Sequence, residues 1–323
     1  MKKLAMAAIA CMIALVVASA VNVGVCYAAD EAWPSRPITI VVPYGAGGDT
    51  DFNARIYIEG LSKQLGVPIA VSNMAGSGGA IGGRYVKDAA PDGYTVLFWH
   101  TALNVNQAVG TADFGLEDFK LSAVVGTSPG DIIVARKDSG WKDLKDLKEY
   151  TQKNPGKVVL GIETGTIVNI YGKQMQEEGL DVTFVDAGGA SDRVAALAGG
   201  HIDLIINAYG TVKDYLDTGE FIALAQVNKE RSAGFPDIPC TAEQGFDVQL
   251  DRYYFFAFPK DTPDAISEKF AKACEVVSKD PKYAEAIMNA YRQSPFYADP
   301  VNGKQLLDST KKIIDVFAPK LFS

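Results

Sequence analysis

Short apolar runs alternate with amphipathic stretches from residue 38 onward. Residues 38–42, Ile-Thr-Ile-Val-Val, form a β-branched run that ends at Pro43, which predicts a buried strand. A glycine-rich loop follows at 44–50. Ile56, Ile58, Leu61 and Leu65 then recur at helical spacing over 51–65, and Gly66 supplies a C-terminal stop. A second strand at 69–71 runs into a second glycine-rich loop at 75–83. A helix over 82–90, a turn at 91–94 and a third strand at 95–99 complete the first pass. The same grammar then restarts, with strands expected at 131–135, 157–161, 182–185, 202–206 and 221–226. Helices are expected over 141–150 (capped by Ser139), from Thr166 to about Gly179, and over 192–198. The strongly apolar 253–258 reads as a strand in the core, and two or three amphipathic helices close the chain.

This alternation is that of an α/β protein with crossover connections. It divides into two lobes, lobe 1 from 30–131 plus 254–323 and lobe 2 from 132–253. The backbone is expected to cross between them near 123–135 and 250–258. Ligands in such sheets sit at the carboxyl ends of strands. Three of those ends are unusually polar or glycine-rich: 43–51, 74–79 and 100–104.

The first thirty residues read as an address. Met1-Lys2-Lys3 precedes an apolar run from Leu4 to Ala20 and a weaker one to Val25, and small residues follow Cys26. This is the layout of an export signal, with the cut expected after Ala28 or Ala29; the alternative is an uncleaved anchor. Removal takes away Lys2 and Lys3, so 31 basic groups become 29 against 39 acidic ones, and the net charge moves from −8 to −10. Such acidity argues against non-specific nucleic-acid binding. Two His and four Cys leave little material for a metal site, and no cofactor is expected. Cys240 and Cys274 alone survive the cut, and both a disulfide and two buried thiols stay open.

Neither glycine-rich loop fits a nucleotide motif. Gly45-x-Gly47-x-x-Thr50 and Gly76-x-Gly78-x-x-Ile81 both lack the third glycine, and neither ends in Gly-Lys-Ser/Thr. Glycines after a strand instead let backbone N–H groups converge, and a following helix start adds positive potential, so an anion such as a carboxylate is the natural guest. Thr164-Gly165-Thr166 offers a third such loop from the other lobe. Asp49 and Asp51 are most simply explained as helix-start capping residues. No Gly-x-Ser-x-Gly element is present, so a serine hydrolase has no nucleophile elbow.

The chain resembles the periplasmic substrate-binding receptors of tripartite tricarboxylate transporters, the Bug/TctC type. The resemblance rests on Trp33-Pro-Ser-Arg-Pro-Ile-Thr-Ile-Val-Val-Pro-Tyr-Gly-Ala-Gly-Gly-Asp-Thr-Asp51 with Ala54-Arg55, and on Asn73-Met-Ala-Gly-Ser-Gly-Gly-Ala-Ile-Gly-Gly83. It continues in Ala90-Pro-Asp-Gly-Tyr-Thr95, Asn154-Pro-Gly-Lys157, Gly199-Gly-His-Ile-Asp203, Arg231 and Pro236-Asp-Ile-Pro239. It implies a two-lobed, type II periplasmic-binding-protein fold with a ligand cleft between the lobes. It also implies a non-catalytic receptor that passes a small carboxylate to membrane permease subunits and works as a monomer.

The resemblance assigns the ligand in lobe 1 to Tyr44, Gly45, Ala46, Gly47, Gly48, Asp49 and Thr50 and to Gly76, Ser77 and Gly78, and the polar end of the third strand adds His100 and Thr101. In lobe 2 the resemblance assigns Thr164, Gly165, Thr166, Asn169, Asp186 and Ala187. Asn169 stands where the family usually has His. Asp186 and Ala187 replace a proline and an aromatic residue, so the distal half of the pocket is expected to differ. An acidic Asp186 facing the pocket would favour a hydrogen-bond donor on the ligand. Two other functions stay open: a secreted hydrolase with Asp49 or His100 as base, and a sensor subunit for a membrane signalling partner.

Overall fold

Ile38–Val42 forms β1, and four of its five residues are fully buried. In the computed structural model, residues 33–322 are described, and those from Arg36 onward cluster as one unit. The export signal and its cut lie outside the described residues. Among those described, no helix is long and apolar enough to cross a membrane.

The first sheet takes β1, β2 (Ile69–Asn73), β3 (Thr95–His100), β4 (Phe119–Thr127) and β10 (Tyr253–Pro259), in the order β2-β1-β3-β10-β4. β1 pairs in parallel with β2 and β3, while β10 runs antiparallel between β3 and β4. The second sheet repeats the plan. It takes β5 (Ile132–Arg136), β6 (Val158–Ile162), β7 (Val182–Asp186), β8 (Leu204–Asn207) and β9 (Phe221–Gln226), in the order β7-β6-β8-β5-β9. There β5 is the antiparallel strand, between β8 and β9. Each sheet therefore places one antiparallel strand beside a parallel trio, and the chain crosses between sheets at 127–132 and 226–253.

Among the described residues, ten α-helices flank the sheets: α1 (Asp49–Leu65), α2 (Ala80–Lys87), α3 (Ala102–Ala108), α4 (Leu144–Lys153), α5 (Ile167–Glu177), α6 (Ala190–Ala198), α7 (Tyr209–Thr218), α8 (Asp264–Ser278), α9 (Pro281–Tyr291) and α10 (Pro300–Phe317). Gly66 closes α1 in the left-handed conformation, at φ 72°. Three expectations change. α4 starts three residues late, because Asp143 caps it by accepting from the Lys145 and Asp146 amides, while Ser139 belongs to a short 3-10 turn. The sequence reading passes over α3, because its buried positions include Asn104 and Asn106, which break the apolar period. The closing helix α10 does not stay with the first sheet: it begins alongside β4 and α3, and its Ile314 and the following Ala318 end in the hydrophobic core built around Leu144, Leu160, Tyr171 and Leu224. Cys240 and Cys274 are buried free thiols, so no disulfide links them.

Candidate functional site

The loops after β1, β6 and β7 meet at a cavity of about 190 Å³. Three helices begin at its wall. Gly48, Asp49 and Thr50 line it from the start of α1; Thr166, Ile167 and Val168 from the start of α5; Gly189, Ala190, Ser191 and Asp192 from the start of α6. The N-terminal amides of a helix lack intrahelical acceptors and carry the positive end of its dipole. Gly48 and Gly189 have no side chain with which to cap their helices. Asn169 accepts from the Thr166 amide at 3.1 Å, and Asp192 accepts from the Gly189 amide at 3.1 Å. Among the described residues, no protein acceptor meets the amides of Asp49 and Thr50, of Ile167 and Val168, or of Ala190 and Ser191. The arrangement suits a small anion.

The first loop owes its shape to Asp51. Its carboxylate accepts from the Gly47 amide at 3.0 Å, from Arg55 Nε at 2.9 Å and from Asn73 Nδ2 at 2.9 Å. Gly47 sits at φ 82°, where a side chain is disfavoured. Tyr44 forms the floor: its hydroxyl accepts from Trp99 Nε1 and donates to the Gly78 carbonyl, both at 3.1 Å, and its ring stacks on His100 at 5.2 Å. Burial, then the nearby Arg252, lower the His100 pKa to about 3, and its Nδ1 already accepts from the Ala102 amide. A neutral ring that weakly basic is poorly matched to general-base work near pH 7.

Two arginines line the cavity, and both are occupied. Arg252 bridges Asp49 and Asp131, with N–O distances of 2.5 Å to each, and all three residues are buried. The Tyr254 hydroxyl also donates to Asp49, at 2.7 Å. Burial raises the Asp49 carboxyl, but Arg252 and the Tyr254 hydroxyl are among the groups that outweigh it and hold its pKa below the ordinary range. Asp49 is thus a partner of Arg252 rather than a helix cap. Asp131 and Arg252 stand on the two crossing segments, so this cluster ties both crossings to the start of α1. Arg193 donates from Nε and Nη2 to Asn207 Oδ1 and from Nη1 to the Gly188 carbonyl. The carboxylate of Glu163 lies 3.9 Å from Arg193 Nη1. Burial is the main cause that lifts the Glu163 pKa above the ordinary glutamate range, with Arg193 offsetting part.

Of the residues expected from the sequence, Tyr44, Gly45, Ala46, Gly48, Asp49, Thr50, His100 and Thr166 line the cavity. The others stand behind or beside it. The Gly47 amide is held by Asp51. Gly76, Ser77 and Gly78 do not reach it: Gly78 instead meets the second-sheet loop, so closely that a Cβ there would lie 2.6 Å from the Thr164 carbonyl oxygen. Thr101 pins the crossing segment, donating to the Asp251 carbonyl and accepting from the Tyr253 amide, both at 3.0 Å. The Gly165 carbonyl accepts from Asn106, and Asn169 caps α5 from inside. Asp186 is exposed and faces its own loop. It accepts from the Thr164 amide and hydroxyl and from the Gly188 amide, so it staples the β6 and β7 loops together. The Ala187 amide bonds to the Ile162 carbonyl.

The sequence reading missed Glu163, Ser191, Asp192, Arg193 and Arg252 as lining residues. Arg252 carried a signal: a lone arginine immediately before the most apolar strand of the chain. Asn106, on the unforeseen α3, was missed too. Its Nδ2 donates to the carbonyls of Ala102, Gly78 and Gly165, which joins the loops of the two sheets.

Known proteins agree with this geometry. The profile of the family described as "Tripartite tricarboxylate transporter family receptor" matches residues 53–315. A UPF0065 protein from the TAR-I ttuE-ttuC' intergenic region of Agrobacterium vitis is 34% identical over 262 residues, covering 80% of this chain and 75% of the relative. The periplasmic binding protein BugD superposes with a TM-score of 0.81 at 26% identity, covering 90% of this chain and 98% of BugD. MatC from Rhodopseudomonas palustris, solved with bound malate, shares the fold with a TM-score of 0.80 at 23% identity, covering 88% of this chain and all of MatC. The two sheets, the cavity between their loops and the profile match together place this chain in the tripartite tricarboxylate transporter receptor family.

Proposed function

We propose that the protein is a periplasmic, non-catalytic receptor for a small organic carboxylate, which it delivers to the permease subunits of a tripartite tricarboxylate-type transporter. It acts as a monomer and without a cofactor. The observation that carries this reading is the convergence of three helix N-termini on one small cavity whose arginines are already occupied. An anion there is held by backbone amides. Relatives in fold support the ligand class, since MatC is seen with malate.

The lobes are assigned as 30–131 with 254–323, and 132–253, with the end of α10 packing on the second lobe's core, so that Asp131 and Arg252 mark the crossings. The ligand docks on 44–50, and the second lobe closes over it through 163–168 and 189–193. Hinge closure of this kind is usual for such receptors. Export after Ala28 or Ala29 belongs to the same proposal.

The test is a thermal-shift screen of organic acids with identification of co-purified ligand by mass spectrometry. A cognate acid at a hundred times its Kd stabilises a receptor by about 2.7 kcal/mol and is recovered unchanged. Conversion of the acid to a product, or stabilisation by no acid at all, would contradict the reading.

A further inference from the structure

The cavity holds one carboxylate that the protein leaves without a hydrogen bond. Asp49 has Arg252 and Tyr254, and Asp192 accepts from the Gly189 amide. Glu163 lines the same wall with its side chain 17% exposed. Its nearest cation is Arg193 at 3.9 Å, beyond hydrogen-bond distance, and the Arg193 donors are aimed at Asn207 and Gly188. A half-desolvated carboxylate is costly unless a donor reaches it. The nearest threonine hydroxyls are engaged elsewhere: the Thr166 hydroxyl donates to the Glu163 carbonyl, and the Thr164 hydroxyl donates to Asp186.

Resting on the carboxylate reading above, we propose that Glu163 accepts a hydrogen bond from the ligand itself. The cognate ligand is then an acid that also carries a hydroxyl or ammonium group. Its carboxylate faces the helix amides, and its donor faces Glu163. An unsubstituted acid would present only acceptors to a wall that already holds three acidic side chains. It would leave Glu163 unpaired, and a buried polar group without its partner is the stronger basis of discrimination in a small site. Asp186, to which the sequence pointed for this role, is satisfied by Thr164 and Gly188, and Glu163 takes its place.

The test uses matched acids on the full mature protein: succinate with malate and aspartate, glutarate with 2-hydroxyglutarate and glutamate, propionate with lactate and alanine. Calorimetry on the wild type is expected to show a substituted acid binding about tenfold or more tighter than its parent, the scale of a hydrogen bond to a charged group. Glu163→Leu is expected to abolish that preference. Glu163→Gln, which keeps a carbonyl acceptor but loses the charge, keeps part of a hydroxyl preference and loses an ammonium preference, so it separates the two donors. A parent acid that binds the wild type as tightly as its substituted partners overturns the proposal without any variant, as does a preference that survives in Glu163→Leu. Failure of every acid to bind overturns the carboxylate reading and this inference together.

Discussion

The two lobes bring opposite kinds of acid to one cavity. On the first, every carboxylate near the ligand wall is locked: Asp51 by Gly47, Arg55 and Asn73, and Asp49 by Arg252 and Tyr254. On the second, Glu163 touches only a distant arginine whose donors point elsewhere. Charge that is paired within the protein builds a scaffold, and charge left unpaired at a cavity wall reads the guest. In the proposed reading the first lobe is therefore a pre-built seat, and the second supplies discrimination as it closes.

The largest break comes at the seat. Arg252→Met removes the sole bridge between two buried aspartates, and stranding a buried charge costs about 3–5 kcal/mol. Urea denaturation should show that loss as a lowered midpoint with an unchanged slope. Next comes the junction of the lobes. Gly78 sits at φ 62°, and a Cβ would press on the Thr164 carbonyl oxygen only when the two loops are together. Gly78→Ala should weaken ligand binding by about tenfold, with a smaller loss of stability of roughly 1 kcal/mol from the positive φ. Small-angle scattering should show the variant failing to contract on adding ligand.

A pH series separates the two kinds of acid. Asp49 has a depressed pKa, so the stability it contributes is present above its unfolded value and is lost as pH falls through the folded one. Glu163 has a raised pKa, so its penalty is absent below its unfolded value and grows as pH rises toward the folded one. Glu163→Gln should therefore melt higher than wild type at pH 7 and level with it below about pH 4, the ordinary glutamate range. The smallest effect belongs to Asp186→Ala. Its staple to Thr164 and Gly188 is exposed, so melting should fall by less than about 1 kcal/mol, and calorimetric ligand preference should not change.

The fold was legible wherever local pattern and tertiary role agreed. β1 and the start of α1 followed from a β-branched run and glycines that suit only a turn, and the second sheet's strands followed in order. α3 was hidden because Asn104 and Asn106 are buried to make tertiary hydrogen bonds, so the apolar period that announces a helix is missing. The site was legible as three loops but not as a set of lining residues. Periodicity shows where a strand ends; it does not say which way a side chain turns after it. Glu163 and Asp186 stand at the ends of neighbouring strands β6 and β7, yet one lines the cavity and the other staples its loop. Arg252, which joins residues 203 and 121 positions away, lies beyond any local pattern.

The central claim is that helix-start amides of both lobes hold the ligand's carboxylate. The direct measurement is a 15N–1H NMR titration with the most stabilising acid, following the amides of Thr50, Val168 and Ser191, alongside the carboxamide analogue of that acid. All three amides should shift together and saturate with the acid, while the neutral analogue leaves them unmoved. Equal shifts with the carboxamide, or saturating shifts that bypass these three amides, would contradict the account.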